Sequence, residues 1–291
     1  MKIAVTGSTG LVGSALIPFL TEGGHQTFQL RRPNHWNPAN GTIDRSTLEG
    51  MDAIVHLAGE NIADGRWTAA KKAAIRDSRV NGTRLLSESL IKLNRPPQVL
   101  VSASATGFYG DRGSEVLREE SRPGTGFLAD VCCQWEAATD PATRGGIRVV
   151  HLRSGLVLSS KGGALGKMLL PFKLGVGGKI GSGNQYWSWI SLDDLCAAIL
   201  HSTQATGLHG PVNAVSPTPV TNIEFTKTLG RVLSRPTVFP MPAAAARLAL
   251  GEMANELLLA SARVEPAKLA ASRFVFRQRE LEPALRHLLE K

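Results

Sequence analysis

Eight residues near the N-terminus, Thr6-Gly7-Ser8-Thr9-Gly10-Leu11-Val12-Gly13, constrain this 291-residue chain more than any other feature. They follow a short β-branched run, Lys2–Thr6, and open a stretch, Leu11–Leu20, with apolar residues at helical spacing. Each glycine in such a loop has its own task. Gly7 permits the tight turn out of the strand. Gly10 lets the backbone approach a pyrophosphate, and Gly13 lets the helix pack against the sheet. The helix start then offers free N–H groups and the positive end of its dipole to phosphate. Thr9, Leu11 and Val12 belong to the same loop and are expected at the ligand. The pattern predicts a dinucleotide-binding βαβ unit; a tight turn without a ligand is the plain alternative.

The next strand selects the dinucleotide. Thr27–Leu30 follows the Gly23-Gly24 helix stop and ends in Arg31-Arg32-Pro33. An NAD site places a carboxylate at this strand end for the ribose hydroxyls. Residues 27–36 contain none. Two guanidinium groups suit a 2′-phosphate through charge and paired hydrogen bonds. The expected cofactor is therefore NADP(H), with a solvated strand end as the plain alternative for either arginine.

Further strands are expected at Asp52–Leu57, Gln98–Ser102 and Val149–Arg153, with an edge strand around Thr42–Asp44. Helical patterns cover residues 67–93 and Phe127–Thr139, and Pro18 should bend the first helix. Strands and helices alternate at βαβ spacing. The expected class is α/β, a Rossmann-type doubly wound parallel sheet with a smaller C-terminal substrate lobe. After about residue 160, glycine-rich turns and proline pairs break the pattern. We therefore place a dinucleotide-binding domain at 1–160, its sheet completed by later segments, and the lobe at 161–291.

Composition narrows the partners. Hydrophobic residues make up 43% and charged residues 20%, enough for a sizeable core. The net charge of +9 comes from basic residues dispersed along the chain. That dispersal predicts a small-molecule substrate and neither a nucleic-acid nor a membrane partner. No apolar stretch reaches the length of a membrane span, and no signal-type segment opens the chain. Cys132, Cys133 and Cys196 lack framework spacing, and the histidines are scattered. Free thiols, a cytoplasmic location and no metal site are expected.

Further segments carry a resemblance: His56–Gly59 (HLAG), Asn81–Thr83 (NGT), Ser102–Gly110 (SASATGFYG) and Trp189–Leu195 (WISLDDL). With the glycine loop, they resemble the extended short-chain dehydrogenase/reductases, which include nucleotide-sugar epimerases. The chain is more similar still to one atypical branch, the "epimerase-family" NADP(H)-binding proteins with a C-terminal domain of unknown function. Leu57–Asn61 (LAGEN), Gln134–Ala137 (QWEA), Arg153–Leu158 (RSGLVL), Gly177–Trp189 and Asn213–Pro219 carry that likeness. The resemblance implies cofactor contacts at Leu57, Ala58, Gly59, Arg79 and Val157. Core packing is an equal alternative for Leu57, Ala58 and Val157.

The parent family's chemistry uses a serine, a tyrosine and a lysine. Ser104 falls on the serine. With Glu136 fixing the helix register, Leu128 stands at the tyrosine position and Cys132 at the lysine position. No Tyr or Lys occurs anywhere in residues 113–150, so a shift of register restores nothing. Tyr109 is then the nearest candidate acid, with a buried, hydrogen-bonded ring as its alternative. Glu60 and Asn61 follow Gly59 at the same sheet edge and are candidates for the substrate pocket. Tyr186 and Trp187 suggest an aromatic pocket wall, with core packing as the alternative. Trp187 stands where the nucleotide-sugar enzymes carry a diphosphate-binding arginine. Ser191 and Asp194 fit a helix cap. Three functions stay open: an NADP(H)-dependent oxidoreductase, a non-catalytic NADP(H)-binding sensor or partner protein, and a nucleotide-sugar epimerase-like enzyme.

Overall fold

Two-residue alternation within the strands builds two cores, one on each side of a single sheet. The computed structural model describes all 291 residues. Six strands run parallel: β1 (Lys2–Thr6), β2 (Gln26–Leu30), β3 (Ala53–His56), β4 (Val99–Ala105), β5 (Arg148–Ser154) and β6 (Gly210–Ala214). Their order across the sheet is β6-β5-β4-β3-β1-β2. The register sets Val5 beside Val55, Ile54 beside Leu100, and Leu152 beside Ala103 and Val212.

Ile3, Val5, Val55, Val101 and Leu152 face one way. They pack under α1 (Leu11–Glu22) through Leu16 and Leu20. Ala4, Ile54, Leu100 and Val149 face the other way, beneath Leu86 and Leu90 of α2 (Ala69–Leu90). Burial on both faces explains why these strands read as continuous apolar runs. The helix α1 continues through Pro18 to Glu22, and the edge segment around residue 42 forms a short hairpin, Trp36–Asn37 with Thr42–Ile43.

Residues beyond 160 return to the sheet twice. Helix α5 (Leu192–Gln204) adds Leu195 and Ile199 to the core under α1, and β6 forms the sheet edge. Before β5 comes α3 (Phe127–Ala137), beside α2, and between β5 and α5 comes α4 (Gly163–Lys173). The rest of the chain forms a lobe around α6 (Asn222–Leu233), α7 (Ala243–Leu250) and α8 (Leu281–Leu289). A reciprocal cap between Thr221 and Glu224 starts α6. Leu281 and Leu285 then join Phe225, Leu229, Trp187 and Trp189 in a third core.

Candidate functional site

The glycine loop lies at the carboxyl end of β1, and each glycine meets a different neighbour. Gly7 has φ +68°, and a Cβ there would strike the Leu57 carbonyl carbon at 2.7 Å. A Cβ on Gly13 would sit 2.3 Å from the Gly7 oxygen, so α1 packs against its own loop. Gly10 differs: a Cβ would meet only the Gly7 oxygen, at 3.4 Å. Its open face adjoins the start of α1, where no side chain caps the helix. Uncapped N–H groups beside an open glycine fit a pyrophosphate. A cavity of about 190 Å³ adjoins the loop, lined by Gly7, Gly10, Leu11, Leu57, Ala103 and Ser154 among others. Thr9 is exposed, and Val12 lines the same cavity.

Thr6 ties the loop to the next strand. Its Oγ1 lies 2.7 Å from His56 Nδ1 and accepts the Leu57 and Ala58 N–H groups. Leu57 and Ala58 thus run along the glycine loop. The Ala58 side chain is buried in the second core, whereas Leu57 is half-buried against the first. Gly59 lies under the Arg79 guanidinium, where a Cβ would come within 3.1 Å. Arg79 Nη1 donates to the Glu60 and Ile75 carbonyls at 2.9 and 3.1 Å, and the guanidinium lies over the Trp135 ring. Burial lowers the Arg79 pKa against opposing pulls from Cys132 and Glu60. The geometry gives Arg79 the task of holding the Gly59–Glu60 turn.

Arg31 and Arg32 are exposed at the end of β2. Arg31 donates through Nε and Nη2 to Gln29 Oε1, at 3.2 and 2.7 Å. No carboxylate neutralises either arginine. On the opposite side of the loop, Leu11 packs against Gly163 at the start of α4, and the Val157 carbonyl adjoins the same glycine. Val157 itself is half-buried, paired with Ile190 in a two-stranded ribbon.

The expected catalytic residues are committed elsewhere. Ser104 on β4 donates to Glu136 Oε1 at 2.6 Å. Glu136 on α3 accepts both Arg153 Nε and Nη2 at 2.8 Å. The Arg153 side chain is only 4% exposed and stacks 3.4 Å from the centre of the Phe108 ring. Burial alone would lower its pKa, but Glu136 outweighs this and the net shift is upward. Tyr109 corrects the expectation made of it. It is fully buried, donates to Asn213 Oδ1 at 2.7 Å and accepts Arg153 Nη1 at 3.0 Å. Burial raises its pKa despite Arg153, so it is neither accessible nor poised to give a proton. Leu128 and Cys132 are also buried, and desolvation pushes the Cys132 thiol up to about 12.

The substrate-pocket candidates divide. The Glu60 carboxylate pairs with Lys71 at 2.6 Å. Asn61 closes its own turn, donating to Asp64 and accepting the Ala63 N–H. Trp187 corrects the pocket-wall expectation: it is buried in the third core, edge-on to Phe225 at 5.3 Å. Its position is explained by packing. Tyr186 stays half-buried beneath the Arg263 guanidinium. Ser191 caps α5 as expected. Asp194 does more, accepting the Arg277 and Gln278 N–H groups at 2.9 Å and so tying the C-terminal segment to α5.

Sequence reasoning missed two carboxylates. Glu256 accepts the Leu128 N–H at 3.1 Å, supplying a cap that the preceding Gly126 cannot. Glu119 is buried and accepts the Asn213 and Lys268 N–H groups through one oxygen. No local pattern marks either, because each partner lies about a hundred residues away or more. Arg153 did carry a signal, as a charge inside an apolar strand.

Residues 3–214 match the model of the NAD dependent epimerase/dehydratase family, and residues 241–288 match a domain of unknown function. An epimerase family protein of Mycobacterium bovis is 43% identical over 290 residues, covering 97% of this chain and 96% of that protein. The crystal structure of human epimerase family protein SDR39U1 with NADPH is 34% identical. It superposes with a TM-score of 0.90, covering 100% of both chains. A nucleoside-diphosphate sugar epimerase of Corynebacterium glutamicum is 39% identical, with a TM-score of 0.82. There the match covers 99% of this chain and 58% of that one.

Proposed function

Because the chain belongs to the NAD dependent epimerase/dehydratase family, we propose that it binds NADP(H) and acts in the cytoplasm as an oxidoreductase on a small carbonyl substrate. The observation that carries the reading is the open face of Gly10 beside the uncapped start of α1. The NADPH in the human relative's crystals supports the same cofactor. In this reading Gly10 and the N–H groups that follow at Leu11 and Val12 hold the pyrophosphate, in a loop that Gly7 turns, Thr9 flanks and Gly13 packs. Arg31 and Arg32 hold the 2′-phosphate. Leu57, Ala58 and Gly59 line the adenosine side, with Arg79 fixing their turn. Val157 packs near the nicotinamide.

When bound, NADPH supplies the hydride for the carbonyl carbon. The carbonyl oxygen then takes its proton from solvent water, since no tyrosine or lysine stands on α3 to give one. Ser104 holds the family's position for orienting that oxygen, but its one proton is donated to Glu136, so the hydroxyl must turn away from Glu136 to do so. Glu60 and Asn61, at the turn after Gly59, are further polar candidates for the substrate edge. Tyr109 takes no part.

A second reading has its own support. The Ser104 hydroxyl is already donated to Glu136, and no tyrosine or lysine stands on α3, which suits a non-catalytic NADP(H)-binding protein. Nucleotide-sugar epimerisation draws its support from the family's name, and Trp187 in place of the arginine weighs against it.

Single-turnover oxidation of bound NADPH, followed across panels of small carbonyls and nucleotide sugars, separates the three. Turnover with a carbonyl that slows more in Ser104→Ala than in Cys132→Ala supports the oxidoreductase. Tight NADPH binding with no turnover across both panels supports the non-catalytic protein. Interconversion of a nucleotide sugar would replace both.

A further inference from the structure

One face of the molecule has no partner within the chain. The segment 236–250, PTVFPMPAAAARLAL, carries a single charge, Arg247, yet most of it is exposed. Val238 is 68% exposed, Phe239 58% and Leu248 80%. The end of α4 and the stretch after it lie alongside, with Leu170 66% and Leu174 68% exposed. Two backbone hydrogen bonds and one from a side chain join the two segments. Met241 N donates to the Lys179 oxygen, Gly181 N donates to the Met241 oxygen, and Arg235 Nε donates to the Lys173 oxygen. Gly178 lies against the Phe239 carbonyl, where no Cβ would fit. Large side chains at this exposure, gathered on one face, mark an interaction surface.

Charge identifies what it meets. No aspartate or glutamate occurs in residues 141–192 or 225–251, which build most of this face; Asp64 reaches its border, 3.7 Å from Lys167. Lys173 and Arg235 are exposed around it. Although the basic residues look dispersed along the chain, folding sets Lys173 and Arg235 beside this apolar surface. A second copy docked face to face would oppose like charges, which disfavours a two-fold dimer. No helix of the structure is long and apolar enough to cross a membrane.

We propose that this face docks peripherally on an anionic lipid bilayer, with Leu174, Val238 and Phe239 entering the interface and the lysines and arginines meeting the headgroups. This departs from the expectation that no membrane is engaged, which rested on the spacing of charges along the chain. Apolar side chains ringed by basic ones, with weak attachment and no span, are what such a surface requires.

The test is co-sedimentation of the full chain with vesicles of phosphatidylcholine alone or mixed equally with phosphatidylglycerol. The expected result is pelleting with the anionic vesicles, loss on raising salt, and little pelleting with phosphatidylcholine. The double variant Leu174→Asp, Phe239→Asp should weaken vesicle binding by roughly 10-fold or more, since two apolar contacts become charged. Lys173→Glu with Lys179→Glu should weaken it without touching the apolar side chains. Both alter exposed or half-exposed positions, and unchanged circular dichroism verifies the fold. Failure to pellet with anionic vesicles overturns the proposal. So does pelleting that neither variant changes. A dimer in light scattering that the aspartate variant dissolves, with no vesicle binding, assigns the face to a second copy instead.

Discussion

Gly10 is the residue on which cofactor binding turns, because its neighbours leave its outer face open. Gly10→Val should abolish NADPH binding while the circular dichroism spectrum stays native, since a Cβ there meets only one protein atom. Native affinity in fluorescence titration would move the pyrophosphate elsewhere. Arg31 and Arg32 set the choice between cofactors. NADPH should bind about 10-fold or more tightly than NADH, as one or two charge-assisted bonds would give. Replacing both arginines by glutamate should erase that preference. His56 sets a pH dependence. It is fully buried, and desolvation lowers its pKa to about 4. Between the unfolded value near 6.5 and about 4, only the unfolded chain takes up this proton. Stability therefore falls as pH drops through that window, by up to roughly 3 kcal/mol. Urea melts at pH 7.5 and 4.5 should differ less in His56→Gln; an equal difference would shift the cause to other groups, His151 among them.

Elements were legible where one period dominates a segment. β1 and the first turns of α1 follow from a β-branched run meeting helical spacing across three glycines, and β3 from four consecutive buried residues. The glycine loop was legible because its chemistry is local: turn, approach and packing all act within eight residues. Glu256 was not, because its partner is distant in sequence, and for the same reason Tyr109 and Trp187 kept two readings each. Asn213 and Arg153 decide for the buried ring at Tyr109. Phe225 decides for core packing at Trp187. α3 shows the same dependence. Its N-cap is Gly126, which has no side chain, so Glu256 does that work from the C-terminal lobe. Glu256→Ala should cost roughly 1 kcal/mol, the usual value of a lost cap. Hydrogen exchange at the start of α3 should quicken before the rest of the helix responds. Unchanged protection there would mean that the contact contributes nothing to α3.

At the scale of the whole molecule, the sheet and the C-terminal lobe share their cores. Leu269 lies in the core under α1, with Phe274 and Phe276 packed against it. Asp194 on α5 holds the Arg277 and Gln278 backbone, and Glu119 holds that of Lys268. Leu285 on α8 is fully buried among Phe225, Leu229 and Trp187. Two bodies that share this much buried surface and these backbone ties should unfold together. Leu285→Ala offers the test, because it damages only the lobe's own core. Removing those methyl groups should cost about 2–5 kcal/mol. Two tryptophans report separately: Trp36 lies in the sheet's second core and Trp187 in the third. Variants that each retain one of them as the sole tryptophan would follow the two regions in urea. If the molecule is one cooperative unit, both signals move to lower urea by the same amount, with coincident midpoints. A lobe signal that moves alone would show that the ties at Asp194 and Glu119 fail to couple the parts, and that the sheet stands without the lobe.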